Sequence, residues 1–247
     1  MVLRLNLLRT ALVALFAACL AFAPAQAADD RNIVIETIVE YEIIAANDGD
    51  EADMVAEDSG TSQRYAPAPA LRREADAGPR FGPFTVVDGE TARMAGSVTG
   101  ATPRQFAAML AAHPTLKRLE LVDCPGSLDE EANLRLARMV RHAGLATHVP
   151  EGGSVRSGAV ELFLAGVTRS AHPSAEFGVH SWRDEAGLEA GDYPADDPVH
   201  AEYLDYYREM GMDQDAARAF YALTNASGYD AMRYLTKADI ARYIALN

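Results

Sequence analysis

The stretch Pro150–Gly166, PEGGSVRSGAVELFLAG, decides how this chain is read. A Gly-rich turn, Glu151-Gly152-Gly153, leads into Ser157-Gly158-Ala159 and then into an apolar segment that Gly166 stops. The pattern predicts a short buried helix with a serine hydroxyl at its start. There, unpaired backbone N–H groups and the helix dipole favour negative charge that develops on a bound group. Further on, Glu176–Trp182, EFGVHSW, predicts a short apolar strand ending in His180, 23 residues after Ser157. An imidazole returned to that serine would make a nucleophile and its base. A serine hydroxyl is a poor nucleophile until a base accepts its proton, and an imidazole titrating near neutrality can take and return it.

Upstream of this stretch the periodicities alternate. Phe84 to Val87 and Thr91 to Val98 flank Asp88-Gly89-Glu90 and predict a β-hairpin. Thr102-Pro103-Arg104-Gln105 has the form of a capping box with proline at the first helical position, and Phe106, Met109, Leu110 and His113 share one face of the helix that follows. Leu116 to Val122 predicts a strand. After the turn Cys124-Pro125-Gly126-Ser127, a second box pairs Ser127 with Glu130. Its helix turns Ala132, Leu136, Met139, Val140 and Ala143 inward and stops at Gly144, and Leu145 to Val149 is a further strand. A β-α-β-α order with short connections implies an α/β fold with a mostly parallel sheet covered by helices. Functional groups in such sheets gather beyond the carboxyl ends of the strands, where Gly126-Ser127 and Ser157-Gly158 both fall.

Downstream, Arg183 to Pro198 is an acidic Gly/Pro-bearing loop, either a lid or a solvated insertion. Val199 to Met210 predicts a helix with Tyr203, Leu204, Tyr207 and Met210 in step. Asp213 caps a second helix, running to Leu223, and Thr236 caps the last.

The first 27 residues carry Arg4 and Arg9, no acid, the apolar run Ala11 to Ala23 and the small-x-small triplet Ala25-Gln26-Ala27. That is the form of a cleaved signal peptide and predicts export to the periplasm or beyond. A lipid anchor on Cys19 is the lesser alternative, since Phe16 stands where lipoprotein signals favour leucine. The apolar run falls short of the ~20 residues a membrane span needs, so no transmembrane helix is expected in the mature chain. The whole chain has 22 basic and 36 acidic residues; cleavage removes two basic ones and leaves a net charge of −16. Phosphate backbones would be repelled, so nucleic acid is excluded as a partner. Cys124 alone remains after cleavage and has no intramolecular disulfide partner. It is read as a small buried filler. The histidines are scattered without zinc spacing, and no metal or other cofactor is expected. Residues 28–80 are read as an acidic arm. Ile33 to Ile44 is strand-like, and Ala45 to Arg80 is too poor in large apolar residues to offset its ordering entropy. This is either a loose solvated linker or a partner-binding arm. The folded domain is expected over 81–247.

The order CPGSLDEEANLRLARMV, then GLATHVPEGGSVRSGAVELFLAGVTRSAHPSAEFGVH, resembles the proteolytic subunit of the Clp protease and its relatives in the Clp/crotonase superfamily, especially exported bacterial members. The resemblance spans about Phe84 to His180. It implies the superhelical β-α-β fold of that group with helices at its C-terminal end, a peptide or protein substrate, and the ring-shaped homo-oligomers such helices build. It also implies Ser157 as nucleophile, His180 as general base, and Asp230 as the third triad member. The Gly126-Ser127 turn and Gly158 would form the oxyanion hole, with the N–H groups of Ser127 and Gly158 as donors. Ser127 stands where the family has glycine. Arg156 stands where it has a small residue, and would either hold an acidic substrate group or block access. Trp182 would line a substrate pocket or cover the core, and Ser154 is assigned to the turn. The absence of a Gly-x-Ser-x-Gly elbow argues against the ordinary α/β-hydrolase fold. Two other functions fit the same residues: a catalytically silent envelope binding or scaffold protein, and an acyl-transfer enzyme on a thioester. The second lacks a basic cluster for a coenzyme A phosphate.

Overall fold

The computed structural model describes residues 64–65, by backbone alone, and residues 78–247. Residues 1–27 and the strand-like piece Ile33 to Ile44 lie outside the described residues, as does most of the arm. The chain runs β1 (Arg64–Tyr65), β2 (Arg80–Phe81), β3 (Phe84–Val86), β4 (Thr91–Ala95), α1 (Thr102–Ala112), β5 (Arg118–Cys124), β6 (Gly126–Ser127), α2 (Glu130–His142), β7 (Ala146–Val149), β8 (Ser154–Arg156), α3 (Ala159–Leu164), β9 (Arg169–Ala171), β10 (Glu176–Val179), α4 (Ala201–Glu209), α5 (Gln214–Thr224), β11 (Arg233–Leu235) and α6 (Lys237–Ile240).

The architecture is the α/β one that the alternating pattern implies. The hairpin β2–β3–β4 is antiparallel, and β4, β5, β7, β8, β9 and β10 then pair in parallel. β11 closes one edge antiparallel to β10. At the centre lies β5, RLELVDC, whose Leu119, Leu121, Val122 and Cys124 are all buried. Consecutive residues hidden on both faces are what a strand inside a parallel, helix-covered sheet requires. This strand is shared: Arg118–Glu120 pair with β7, while Asp123–Cys124 pair with β8.

The helices follow their apolar faces. In α2, Ala132, Leu136, Met139 and Val140 are buried as predicted, and acidic residues in the first turn with basic ones in the last suit the dipole. All six residues of α3 are buried, as expected of a helix with core on every side. Glu161, the acid within it, accepts a hydrogen bond from the Tyr207 hydroxyl at 2.7 Å. Asp213 and Thr236 cap α5 and α6 as predicted. A 3₁₀ turn, Pro198–His200, precedes α4, which buries Tyr203 and Tyr207 with Met210 just beyond its end; Leu204 is half-buried.

Several local expectations are corrected. Asp129, not Ser127, caps α2, its carboxylate accepting from Ala132 N–H at 2.9 Å. Thr102 lies inside α1 and caps nothing there; its hydroxyl oxygen accepts from Thr99 N–H instead. Ser154 is not turn residue but strand, the first of β8. Two pieces of the expected arm join sheets: Arg80 begins β2, and β1 pairs antiparallel with β6. Among the described residues no helix is long and apolar enough to cross a membrane.

Candidate functional site

The site is a product of strand register. β8 and β10 run parallel with Arg156 opposite Gly178, so the residues just beyond their carboxyl ends, Ser157 and His180, emerge side by side. A backbone hydrogen bond from Ser157 N–H to Gly178 C=O, 2.7 Å, extends that register past the end of β8. Here the chain must turn abruptly from strand into α3. Ser157 makes the turn at φ +54°, the sole non-glycine residue among those described with positive φ. This conformation costs an L-residue about 1–2 kcal/mol. It also aims the hydroxyl at His180, and Ser157 Oγ lies 2.6 Å from His180 Nε2. That is a full-strength hydrogen bond. A neutral imidazole with its proton on Nδ1 accepts the serine proton through it. Both residues are buried, Ser157 1% and His180 0% exposed.

The His180 and Tyr229 rings pack in a T-shaped arrangement, centroids 5.0 Å apart, and the Arg183 guanidinium lies 3.7 Å from the centre of the Tyr229 ring. Asp230 belongs to the outer end of this ladder. Its carboxylate is 86% exposed and pairs with Arg183 at 3.7 Å. A triad carboxylate is buried against the imidazole it orients, so the Asp230 assignment is corrected: the solvated carboxylate is held by Arg183, and Tyr229 is a neighbour of the His180 ring.

Arg156 is corrected too. Its guanidinium turns away from Ser157 to Asp123 Oδ1, 2.7 Å, and Ser154 Oγ, 2.5 Å, and it is 3% exposed. It joins the ends of β5 and β8. Trp182 covers the core: buried, it donates from Nε1 to Tyr221 Oη at 2.8 Å and stacks on Tyr203. The loop after it is fastened down. Glu189 accepts from Tyr229 N–H at 3.0 Å, and the Tyr193 hydroxyl donates to Asp184, holding that carboxyl below the usual carboxylate range. Cys124 is buried in the core, and desolvation pushes its thiol up to about 12. It is no thiolate nucleophile at neutral pH.

A polar cluster of Ser127, Glu130 and Asn133 packs against the turn. The Ser127 hydroxyl donates to Glu130, and Asn133 Nδ2 donates to Gly158 C=O at 2.8 Å; all three side chains are buried. A Cβ on Gly158 would lie 2.5 Å from Ser127 Oγ, so these two residues touch. Gly126 takes the positive φ of the turn, +122°, and leaves Ser127 free of that strain. Glu130 and Asn133, three apart on one face of α2, were the available signal. Among the described residues no group of three or more His, Cys, Asp or Glu side chains is placed to hold a metal ion.

No family model matches the sequence, and no curated protein matches it. Solved structures do. The likeness is to Clp-type proteases and crotonase-like enzymes. One is a membrane protease specific for a stomatin homolog from Pyrococcus horikoshii, 16% identical with a TM-score of 0.43 over 64% of this chain and 71% of that one. Another is the catalytic domain of a Plasmodium falciparum ClpP protease, 11% identical with a TM-score of 0.42 over 61% and 79%. A third, assigned as an enoyl-CoA hydratase from Streptomyces coelicolor A3(2), is 13% identical with a TM-score of 0.39 over 72% and 71%.

Proposed function

We propose that the chain is an exported serine hydrolase of the Clp-protease type that cleaves peptide or ester bonds through an acyl-enzyme. The observation that carries this reading is the 2.6 Å contact of Ser157 Oγ with His180 Nε2 at a strand-to-helix turn held at positive φ. In the reaction His180 takes the hydroxyl proton as Ser157 attacks the carbonyl carbon, then gives it to the leaving amine or alkoxide as the tetrahedral intermediate collapses. Water repeats the sequence on the acyl-serine. The developing oxyanion is received by the Ser127 and Gly158 N–H groups, each such donor worth about 3 kcal/mol in enzymes of this kind. The contact between Ser127 and Gly158 supports this placement. Asn133, bonded to the Gly158 carbonyl, fixes the orientation of the turn's backbone. The Tyr229 ring, packed T-shaped on the imidazole, helps to limit its tilt. Export, a peptide or protein substrate, and homo-oligomer formation belong to this proposal through the leader-like residues 1–27 and the family resemblance.

The burial of Ser157 and His180 favours a second reading, a catalytically silent binding or scaffold protein of the envelope. A fluorophosphonate probe separates the two. Labelling of the full chain, located at Ser157 by mass spectrometry and abolished in folded Ser157→Ala and His180→Ala variants, is expected for the hydrolase. A folded wild type that stays unlabelled at every probe concentration and temperature short of unfolding supports the silent protein.

A further inference from the structure

We propose that β1 is an inhibitory strand, by which the chain closes its own site; the proposal rests on the hydrolase reading above. The observation is the antiparallel pairing of Arg64 with Ser127 and of Tyr65 with Gly126. Which backbone groups face the arm follows from the other side of β6. Gly126 C=O accepts from Val98 N–H, and Leu128 N–H donates to Val98 C=O, each at 2.9 Å. Alternate residues of a strand direct their N–H and C=O to opposite neighbours. Ser127 N–H and C=O are therefore turned away from Val98, to the side on which β1 lies. Arg64 and Ser127 are the pair that exchanges hydrogen bonds.

That N–H is the donor the hydrolase reading assigns to the oxyanion. A substrate carbonyl stabilised by Ser127 must occupy the edge that β1 fills, so arm and substrate exclude one another. Burial agrees: Ser127, Ser157 and His180 are all withdrawn from solvent. The contact is also weak enough to be released. β1 has two residues, and so short a strand contributes only what a few backbone hydrogen bonds supply. The arm thus holds the enzyme closed in its free state, and an extended peptide substrate, a partner, or a cut in the arm opens it.

The test uses the full chain. Arg64→Pro removes the N–H that pairs with Ser127 C=O and breaks the pairing; Arg64→Ala keeps the backbone and serves as control. Two readouts are followed in proteins whose circular dichroism is that of wild type: amide hydrogen exchange of the Gly126–Leu128 segment, and the rate of fluorophosphonate labelling at Ser157. Arg64→Pro is expected to speed both by about tenfold, the worth of one to two backbone hydrogen bonds, while Arg64→Ala changes neither. A Gly-Gly replacement of residues 64–65, which weakens the strand without a ring, should move both in the same direction. Unchanged exchange in Arg64→Pro overturns the pairing. Faster exchange with an unchanged, measurable labelling rate overturns the inhibition and leaves the hydrolase standing. Faster exchange with no labelling in any variant overturns the hydrolase reading, and the inhibition with it.

Discussion

At the scale of the residue, Ser157 combines a hydroxyl hydrogen-bonded to His180 with a conformational burden. Its φ of +54° is a region that glycine enters without penalty. The two conservative ways of removing the hydroxyl should therefore differ in stability. Ser157→Gly relieves the strain and is expected to be more stable than Ser157→Ala by about 1 kcal/mol, with both unreactive to the probe; equal denaturation midpoints would contradict the strained turn. This residue and His180 were legible in the sequence because a serine between a Gly-rich turn and an apolar segment is uncommon, and an apolar strand ends in histidine soon after. Asp230 and Arg156 were not legible, for a shared reason. A charged side chain takes its role from its partner, and those partners, Arg183 and Asp123, are set by register and by packing at a distance. Nothing in the local sequence of Arg156 indicates that Asp123, 33 positions earlier, will neutralise it inside the sheet.

Among elements, the helices were the easier reading and the short strands the harder. An amphipathic helix such as α2 repeats its signal over three turns, whereas β8, Ser-Val-Arg, has a single apolar residue and is wholly buried between β5 and β10. Its polar residues are internal because the guanidinium of Arg156 is satisfied there by Ser154 and Asp123. β9 and β11 are equally brief and equally silent as patterns. The fit between elements can be probed at two glycines. A Cβ on Gly166, just past the end of α3, would lie 2.7 Å from both Thr147 N and Thr168 O and closer still to Thr147 Oγ1. Backbone of two flanking segments cannot withdraw. On Gly178 of β10 the nearest atoms are Met232 Sδ at 2.6 Å and Arg156 Cγ at 3.0 Å, and the half-buried methionine can swing aside. Gly166→Ala is expected to cost about 3 kcal/mol and Gly178→Ala about 1. Urea midpoints in the reverse order would show that α3 is less tightly wedged than described.

For the whole molecule, Cys124 is a natural reporter. Its thiol lies in the core at the end of β5 and is pushed up to about 12 from an ordinary 9.0 by burial. Iodoacetamide should leave Cys124 unmodified in the native protein at pH 8 and alkylate it fully in urea. Because the folded pKa is raised, the thiol's contribution to stability is complete below pH 9 and is lost as pH rises from there toward 12. Urea midpoints should fall across that window more steeply in wild type than in Cys124→Ala. Alkylation of Cys124 in the native protein at pH 8 would show that the core opens there on its own. The overall α/β plan was readable at this scale because it depends on the alternation of long patterns. The placement of the arm on β6 was not, since two extended residues carry no pattern that distinguishes a paired edge from a solvated linker.

The division of β5 between two neighbours has a consequence for how this protein fails. One half of the strand is bonded to β7, and the other to β8, which ends at Ser157. A site mounted on a surface loop can melt while its scaffold survives. Here the serine has no such independence, since freeing β8 means peeling it from the central strand of the sheet. Heat or denaturant should therefore take the Ser157–His180 contact and the fold in a single step, with no stage at which an intact body carries a ruined site.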